Sequence, residues 1–388
     1  MSSSQVRERF LFPREPLLHL ADLGGPTRGR APRVDEGWDV TLGHSARYAL
    51  YRLLQGLPRT SRDEVLVPAF VCIALVEPIL AAGYKVRFFD NPSLTETDLD
   101  LIRDLATDRT LAVVAVHFFG FRQDTAGLAG LCRDRGILLI ENFTHSLPVR
   151  DFVVAEDRLE RCDVALFSLK KMLPAPDGGF AVHRRSLGAK VPRSASPARL
   201  PILQELYRSA ERTMKTRRWR SSNGEAANPV QVPLADSVAA EIAASMHGLD
   251  LDRASWGISA ASRRIWEAAD LDALAAARRR NFGLIREAFL GMPEIEFPFR
   301  DAPADSCLWG IPFMVHGIPD YDYKLRSIGL PLFTFARALH PGLGRDGFPI
   351  ARAWAAQMKV LPVHQDLTPE DIATIKPAFE ALLARRLG

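Results

Sequence analysis

Two adjacent lysines, Lys170 and Lys171, follow Ser168 at the end of the apolar run Val164–Ser168. An amine placed over a sheet crevice can form a Schiff base with a carbonyl once its pKa is lowered. The plainer reading of the same pair is two surface lysines. Upstream, Gly43-His44-Ser45-Ala46 puts a glycine and a hydroxyl side chain where a helix begins. Free backbone N–H groups and the helix dipole make such a start a place for an anion. His145 stands four residues beyond Glu141, just after another apolar run, and is either a site residue or a satisfied structural histidine. Anion binding, an activated amine and an imidazole thus come from separate segments whose order carries more information than any one alone.

The elements between them predict how they could meet. Gly43–Leu54 reads as a helix, Asp63–Pro68 as a strand stopped by proline, and the stretch to Leu80 as a helix ended by Gly83. Lys85–Phe89, Leu111–Phe118, Ile137–Ile140 and Val164–Ser168 read as further strands, with an amphipathic helix over Ala126–Arg135. Phe180–Val182 returns as a paired strand after the turn Pro174–Gly179. Near-continuous apolar strands alternating with helices argue for a mostly parallel sheet covered on both faces, with its ligand site beyond the strands' carboxyl ends. His117–Gly120 and Glu141–His145 would both sit there. After about residue 240 the pattern becomes a smaller α+β set: a helix over Leu271–Leu290 bearing Arg278, Arg279 and Arg280, strands at Trp309–His316 and Met358–Pro362, a helix over Tyr321–Ile328, and a closing helix over Pro369–Arg386 capped by Thr368.

Composition narrows the functions. The 388 residues are more than twice a usual domain of ~150, and 47% hydrophobic with 25% charged residues are globular values that exclude extensive disorder. Lys and Arg total 50 against 46 Asp and Glu, so nucleic acid is not the default partner. Cys72, Cys132, Cys162 and Cys307 lie far apart without CxxC or Cys/His spacing, which reads as reduced cysteines and no metal site. The amino end, Met1–Arg33, lacks a signal-peptide apolar stretch, and no window reaches the ~18 residues of a membrane span. A soluble, cytoplasmic protein is expected. The basic run Arg208–Arg220 reads as a solvated helix face with a connecting loop, or else as a contact to a phosphorylated substrate.

Taken in order, Gly43-His44-Ser45-Ala46, Asp63–Phe70, Val116–Gly120, Ile140–Ser146, Phe167–Lys171, Asp177-Gly178-Gly179 and Leu361–Thr368 resemble the DegT/StrS-type nucleotide-sugar aminotransferases, a family of fold type I pyridoxal-phosphate (PLP) enzymes. The resemblance runs from about residue 40 to 385 and is densest before Phe180. It implies an α/β, fold type I PLP-dependent transferase, with a mostly parallel central sheet, helices on both faces and a smaller C-terminal α+β domain. The corresponding division is an N-terminal segment 1–39, a large cofactor-binding domain 40–240 and a small domain 241–388.

Carried over by position, the resemblance implies that Gly43, His44 and Ser45 hold the phosphate of pyridoxal 5′-phosphate, with Ser168 adding a hydroxyl. His145 would lie beside the cofactor's phenolic oxygen. Lys171, seven residues before Gly178, is preferred as the Schiff-base lysine; Lys170 is the alternative, because many relatives space this lysine five residues from the serine. Two positions depart from the family. Asn142 replaces the aspartate that pairs with the protonated pyridine nitrogen, so the ring is expected to be a poorer electron sink. Cys72 stands where many relatives place an aromatic against the ring, with Phe70 or Phe119 as substitutes. No Gly-Tyr-Asn-x-Arg-Met-like segment is found, and Trp256–Ser259 reads differently. The implied function is a homodimeric aminotransferase that moves an amino group from a donor to a keto sugar nucleotide or related intermediate. The alternatives are a non-catalytic scaffold and elimination-type chemistry with the same cofactor.

Overall fold

A computed structural model describes residues 11–25, 36–147, 161–221, 248–317, 321–333 and 335–384. Seven strands form the main sheet: β1 (Trp38–Gly43), β2 (Glu64–Pro68), β3 (Lys85–Phe89), β4 (Thr110–Val116), β5 (Leu138–Asn142), β6 (Val164–Ser168) and β7 (Gly179–Arg184). Their order is β1-β7-β6-β5-β4-β2-β3. β7 runs against both of its neighbours, and every other pairing is parallel. The mostly parallel sheet is therefore as read from the sequence, with β1 an additional strand that the sequence pattern did not disclose.

Side-chain alternation splits each central strand between two cores. Val65 and Val67 of β2, Val114 and Val116 of β4, Ile140 of β5 and Leu166 of β6 pack with α2 (Ala46–Gly56) and α3 (Ile73–Ala81). Leu66, Val113, Leu139 and Phe167 face the other way, against α4 (Leu99–Leu105) and α5 (Ala126–Asp134). Period-two alternation with apolar residues on both faces is why these strands read as unbroken hydrophobic runs. By the same alternation Asn142 and Ser168, at the ends of β5 and β6, share the face that carries α2 and α3.

Beyond β7 come α6 (Arg199–Ser221), α7 (Ala260–Ala268) and α8 (Leu271–Ala288). A small antiparallel sheet follows, formed by β8 (Ile295–Glu296), β9 (Gly310–Val315) and β10 (Met358–Pro362) in the order β10-β9-β8. α9 (Tyr321–Ser327), α10 (Pro349–Gln357), α11 (Pro369–Ala373) and α12 (Ile375–Ala384) complete it. Phe282, Ile285 and Phe289 of the α8 region pack with Phe313 and Phe379 in the core that also holds one face of the main sheet. The closing helix is broken at Thr374; its start is the expected one, with Thr368 Oγ1 accepting from the Asp371 N–H at 3.2 Å. The boundary expected near residue 240 lies outside the described residues.

The basic run belongs to one 23-residue helix, α6. Several of its cations are matched by carboxylates: Arg212 lies 3.2 Å from Glu15, Lys215 2.8 Å from Glu211, and Arg220 pairs with Asp371, while Arg217 lies 3.0 Å from the His19 ring. α6 thereby ties the segment 11–25 to the small α+β region through Arg212 and Arg220.

Candidate active site

At the carboxyl edge of the main sheet lies a cavity of about 210 Å³ lined by Ser45, Arg47, Cys72, Asn142, Thr144, Ser168, Lys170 and Lys171, among others. Four elements deliver these residues: the start of α2, the start of α3, the end of β5 and the loop after β6.

The anion end is set by close backbone approach. Gly179 pairs with Gly43 on one side and Ser168 on the other. A Cβ on Gly179 would stand 2.0 Å from the Ala46 nitrogen, and one on Gly43 2.4 Å from the Ala49 nitrogen. Two glycines thus let the α2 N-terminus settle onto the strand ends. Ser45 is the N-cap, but its hydroxyl makes no capping hydrogen bond. The first N–H groups of α2 have no intrahelical acceptor, as at every helix start. Backbone donors and the Ser45 and Ser168 hydroxyls are therefore gathered in one place.

This loop is braced from behind. The Gly178 N–H donates to His44 O at 2.7 Å and the His44 N–H to Trp256 O at 2.9 Å. The His44 side chain turns away from the cavity lining: its Nδ1–H donates to Asp177 at 3.3 Å, and its ring meets Trp256 edge-on at 5.4 Å. Buried Asp177 also accepts from Ser259 Oγ at 2.8 Å, from the Ser259 N–H at 3.1 Å and from Ser262 Oγ. The segment Trp256–Ser259 is thus a buttress for the anion loop.

The lysines part ways. Lys170 is 55% exposed and its Nζ stands 3.7 Å from Glu205. Lys171 lies partly buried, with Nζ 5.3 Å from the centre of the Trp309 ring. Burial lowers its pKa below 10.5, the charge of Arg47 adds to the shift, and Cys72 opposes it. Both lysines also line a second cavity of about 230 Å³, bounded by Glu15, Glu205, Arg212, Trp309 and Phe333. What separates the two amines is burial, which Lys171 has and the exposed Lys170 lacks.

Two residues that sequence reasoning did not place in the site hold this lysine. Arg278 is fully buried and donates to Met172 O at 2.8 Å, Leu308 O at 2.7 Å and Gln365 Oε1 at 2.8 Å. It fastens the peptide next to Lys171 to the small sheet's flank, and Gln365 is the reason the late Leu361–Thr368 motif matters here. Trp309 is brought in by Gly120, whose φ of +98° leaves room for Leu308, and the Trp309 N–H donates to Phe119 O at 3.0 Å. A lone arginine among three near each other, and a tryptophan before a strand, carry no signal by which a sequence reader would choose them.

His145 is buried behind Trp309 rather than on the cavity lining, its ring stacked on Trp309 at 4.6 Å and on Phe119 at 5.7 Å. Its Nδ1 accepts from the Phe119 N–H at 3.1 Å, which leaves the proton on Nε2, and Nε2 has no hydrogen-bond partner among the described residues. Burial and the Lys171 charge push its pKa well below 6.5, so it is neutral. Phe70 packs against Phe118, Phe335 and Trp354, so neither it nor Phe119 stands in for Cys72 on the lining. His117 and Glu141, 3.4 Å apart, form a separate buried pair with the His117 ring stacked on Phe143 at 4.0 Å.

Residues 40–184 match the model of the DegT/DnrJ/EryC1/StrS aminotransferase family. GDP-perosamine synthase of Vibrio cholerae is 34% identical over 152 residues, which cover 38% of this chain and 41% of that protein. dTDP-4-dehydro-2,3,6-trideoxy-D-glucose 4-aminotransferase of Saccharopolyspora spinosa is 29% identical over 142 residues, 36% of this chain and 37% of that one. The chain thus spans about two fifths of the length of the curated relatives it matches. Helicobacter pylori PseC, an aminotransferase involved in the biosynthesis of pseudoaminic acid, superimposes with a TM-score of 0.61 over 97% of this chain and 100% of that one, at 15% identity. The resemblance to this family is borne out over residues 40–184, and the α/β fold class over nearly the whole chain.

Proposed function

We propose, from a chain whose residues 40–184 belong to the DegT/DnrJ/EryC1/StrS aminotransferase family, that the 210 Å³ cavity holds pyridoxal 5′-phosphate and that the protein is an aminotransferase acting on a keto sugar nucleotide or a related intermediate. The observation that carries the cofactor reading is the donor set: a backbone cradle that a single Cβ would fill, two hydroxyls beside it, and a desolvated lysine at the same cavity. That set suits a phosphate and an aldehyde on one small planar molecule.

When bound, the cofactor supplies an aldehyde that condenses with amines and a ring that draws electrons from the adjoining carbon. The chain's residues do the rest. The α2 N-terminus, Ser45 and Ser168 hold the phosphate against the helix dipole. Lys171, kept short of its usual basicity by burial, serves as nucleophile and then carries a proton to and from the reacting carbon. Trp309 covers Lys171, and Arg278 fixes the peptide that bears it. The second cavity, reached past Lys171, is the place for the amino donor and the acceptor in turn. The same reading takes residues 40–240 as the cofactor domain, residues 241–388 as the small domain, a homodimer as the working form and the cytoplasm as its location.

Asn142 favours a second reading, in which the scaffold binds the cofactor but directs it to elimination or has lost turnover. Absorbance of the purified protein separates a cofactor-binding protein from an empty scaffold: a visible band, lost in Lys171→Ala, supports the enzyme. Protein that stays colourless with added pyridoxal phosphate would reject it. Amino transfer from candidate donors to keto sugar nucleotides then separates transfer from elimination.

A further inference from the structure

Asn142 is the last residue of β5, on the sheet face that carries α2 and α3, and its side chain lines the cavity. Its Oδ1 accepts the Thr144 N–H at 3.0 Å. A backbone N–H can only donate, so the amide oxygen is committed and the amide cannot turn over without losing that bond. What Asn142 has left for the cavity is Nδ2, a donor that makes no hydrogen bond among the described residues.

The charges around the cavity point the same way. Among the described residues its lining includes Arg47 from α2 and Lys170 and Lys171 from the loop after β6, with Cys72 from α3 as a titratable thiol, and no Asp or Glu. Glu141, adjacent in sequence, faces away, 3.4 Å from His117. A cation bound here meets like charge and finds no carboxylate. In pyridoxal phosphate the ring nitrogen lies para to the carbon bearing the aldehyde. With the phosphate at the α2 N-terminus and the aldehyde toward Lys171, the uncharged polar groups left on the lining for the nitrogen would be Asn142 and Thr144, beside the Cys72 thiol.

We propose that Asn142, locked by the Thr144 N–H, offers the cofactor's ring nitrogen a hydrogen-bond donor and so holds that nitrogen unprotonated at neutral pH. This rests on the cofactor reading above. It goes beyond the loss of a carboxylate: the site selects a neutral pyridine as acceptor. The site stabilises negative charge at the reacting carbon less than one with a pyridinium ring, and chemistry at Lys171 proceeds without that help.

The test is ¹⁵N NMR of the full-length protein loaded with ring-¹⁵N pyridoxal phosphate, across pH 6 to 9. The wild type gives a pyridine-type shift throughout. Asn142→Asp keeps an oxygen for the Thr144 N–H and presents a second one as acceptor. It raises the nitrogen's protonation midpoint by about one to three pH units, the size expected of an adjacent opposite charge. Gly130→Ala, in the middle of α5 and off the cavity lining, leaves the wild-type shift in place. A pyridinium-type shift in the wild type at neutral pH overturns the proposal, whether or not the Asp variant folds, as does an Asp variant with an unmoved midpoint. A protein that releases the labelled cofactor on gel filtration instead overturns the cofactor reading itself.

Discussion

Gly179→Ala isolates the geometry of the anion loop. Gly179 does not occupy the left-handed region, so alanine can take its backbone conformation, and the effect is steric. The new Cβ would stand 2.0 Å from the Ala46 nitrogen, 2.4 Å from the Ser45 carbonyl carbon and 2.6 Å from the Ala46 Cα. All three are backbone atoms at the start of a packed helix, so no side chain can swing aside. Restoring an ordinary contact of 3.4 Å to the nitrogen takes about 1.4 Å of movement, about half the length of a hydrogen bond. Overpacking of this kind costs about 1–3 kcal/mol of stability. Losing one hydrogen bond to a charged phosphate costs about 1.5–3 kcal/mol more, or about ten- to a hundredfold in pyridoxal phosphate affinity. Titration of the apoprotein with the cofactor, beside a urea denaturation curve, measures both. Gly130→Ala is the control: nothing lies within 4 Å of its added methyl, in the middle of α5, and it should stabilise by about 0.5–1 kcal/mol without touching affinity. A folded Gly179→Ala protein that binds the cofactor as tightly as the wild type would refute the phosphate cradle.

Three further outcomes follow from the site's surroundings. Arg278→Met leaves Met172 O, Leu308 O and Gln365 Oε1 without their buried donor, which should cost about 3 kcal/mol in denaturation and weaken cofactor retention; unchanged retention would remove Arg278 from the account. Lys170→Ala, at an exposed residue with a 3.7 Å ion pair, should change stability by less than about 1 kcal/mol and leave the visible band intact. Burial pushes the His364 pKa down to about 4, so the unfolded chain takes up a proton near 6.5 that the folded protein refuses. Stability should therefore fall as pH drops through that window, by on the order of 3 kcal/mol, and a urea midpoint that stays flat from pH 7 to 4.5 would contradict it.

The parallel sheet was legible because its central strands are apolar on both faces, and a buried strand followed by a glycine or polar residue marks its own end. That Ser45, Ser168, Asn142 and Lys171 come together at one cavity was legible for the same reason: each follows an apolar run or opens a helix, and the edge of a parallel sheet gathers such residues. What stayed hidden depends on contacts between distant segments. α6 looked like a charge run because its carboxylate partners, Glu15 and Asp371, lie far away in sequence. The helix after Thr368 was read as continuous, although Pro377, which has no N–H to donate to Ala373, marks the break at Thr374. His44 and His145 were read as cofactor residues from position alone, whereas the structure turns one to Asp177 and stacks the other behind Trp309. Those are consequences of side-chain direction, which spacing along a chain does not encode.

Everything proposed for the site depends on which amine meets the aldehyde. Borohydride reduction of the protein loaded with pyridoxal phosphate, followed by proteolysis and mass spectrometry, reads this directly. The account predicts a single pyridoxyl adduct on Lys171, with Lys170 unmodified. An adduct on Lys170, or none on either residue in a fully loaded sample, would contradict it.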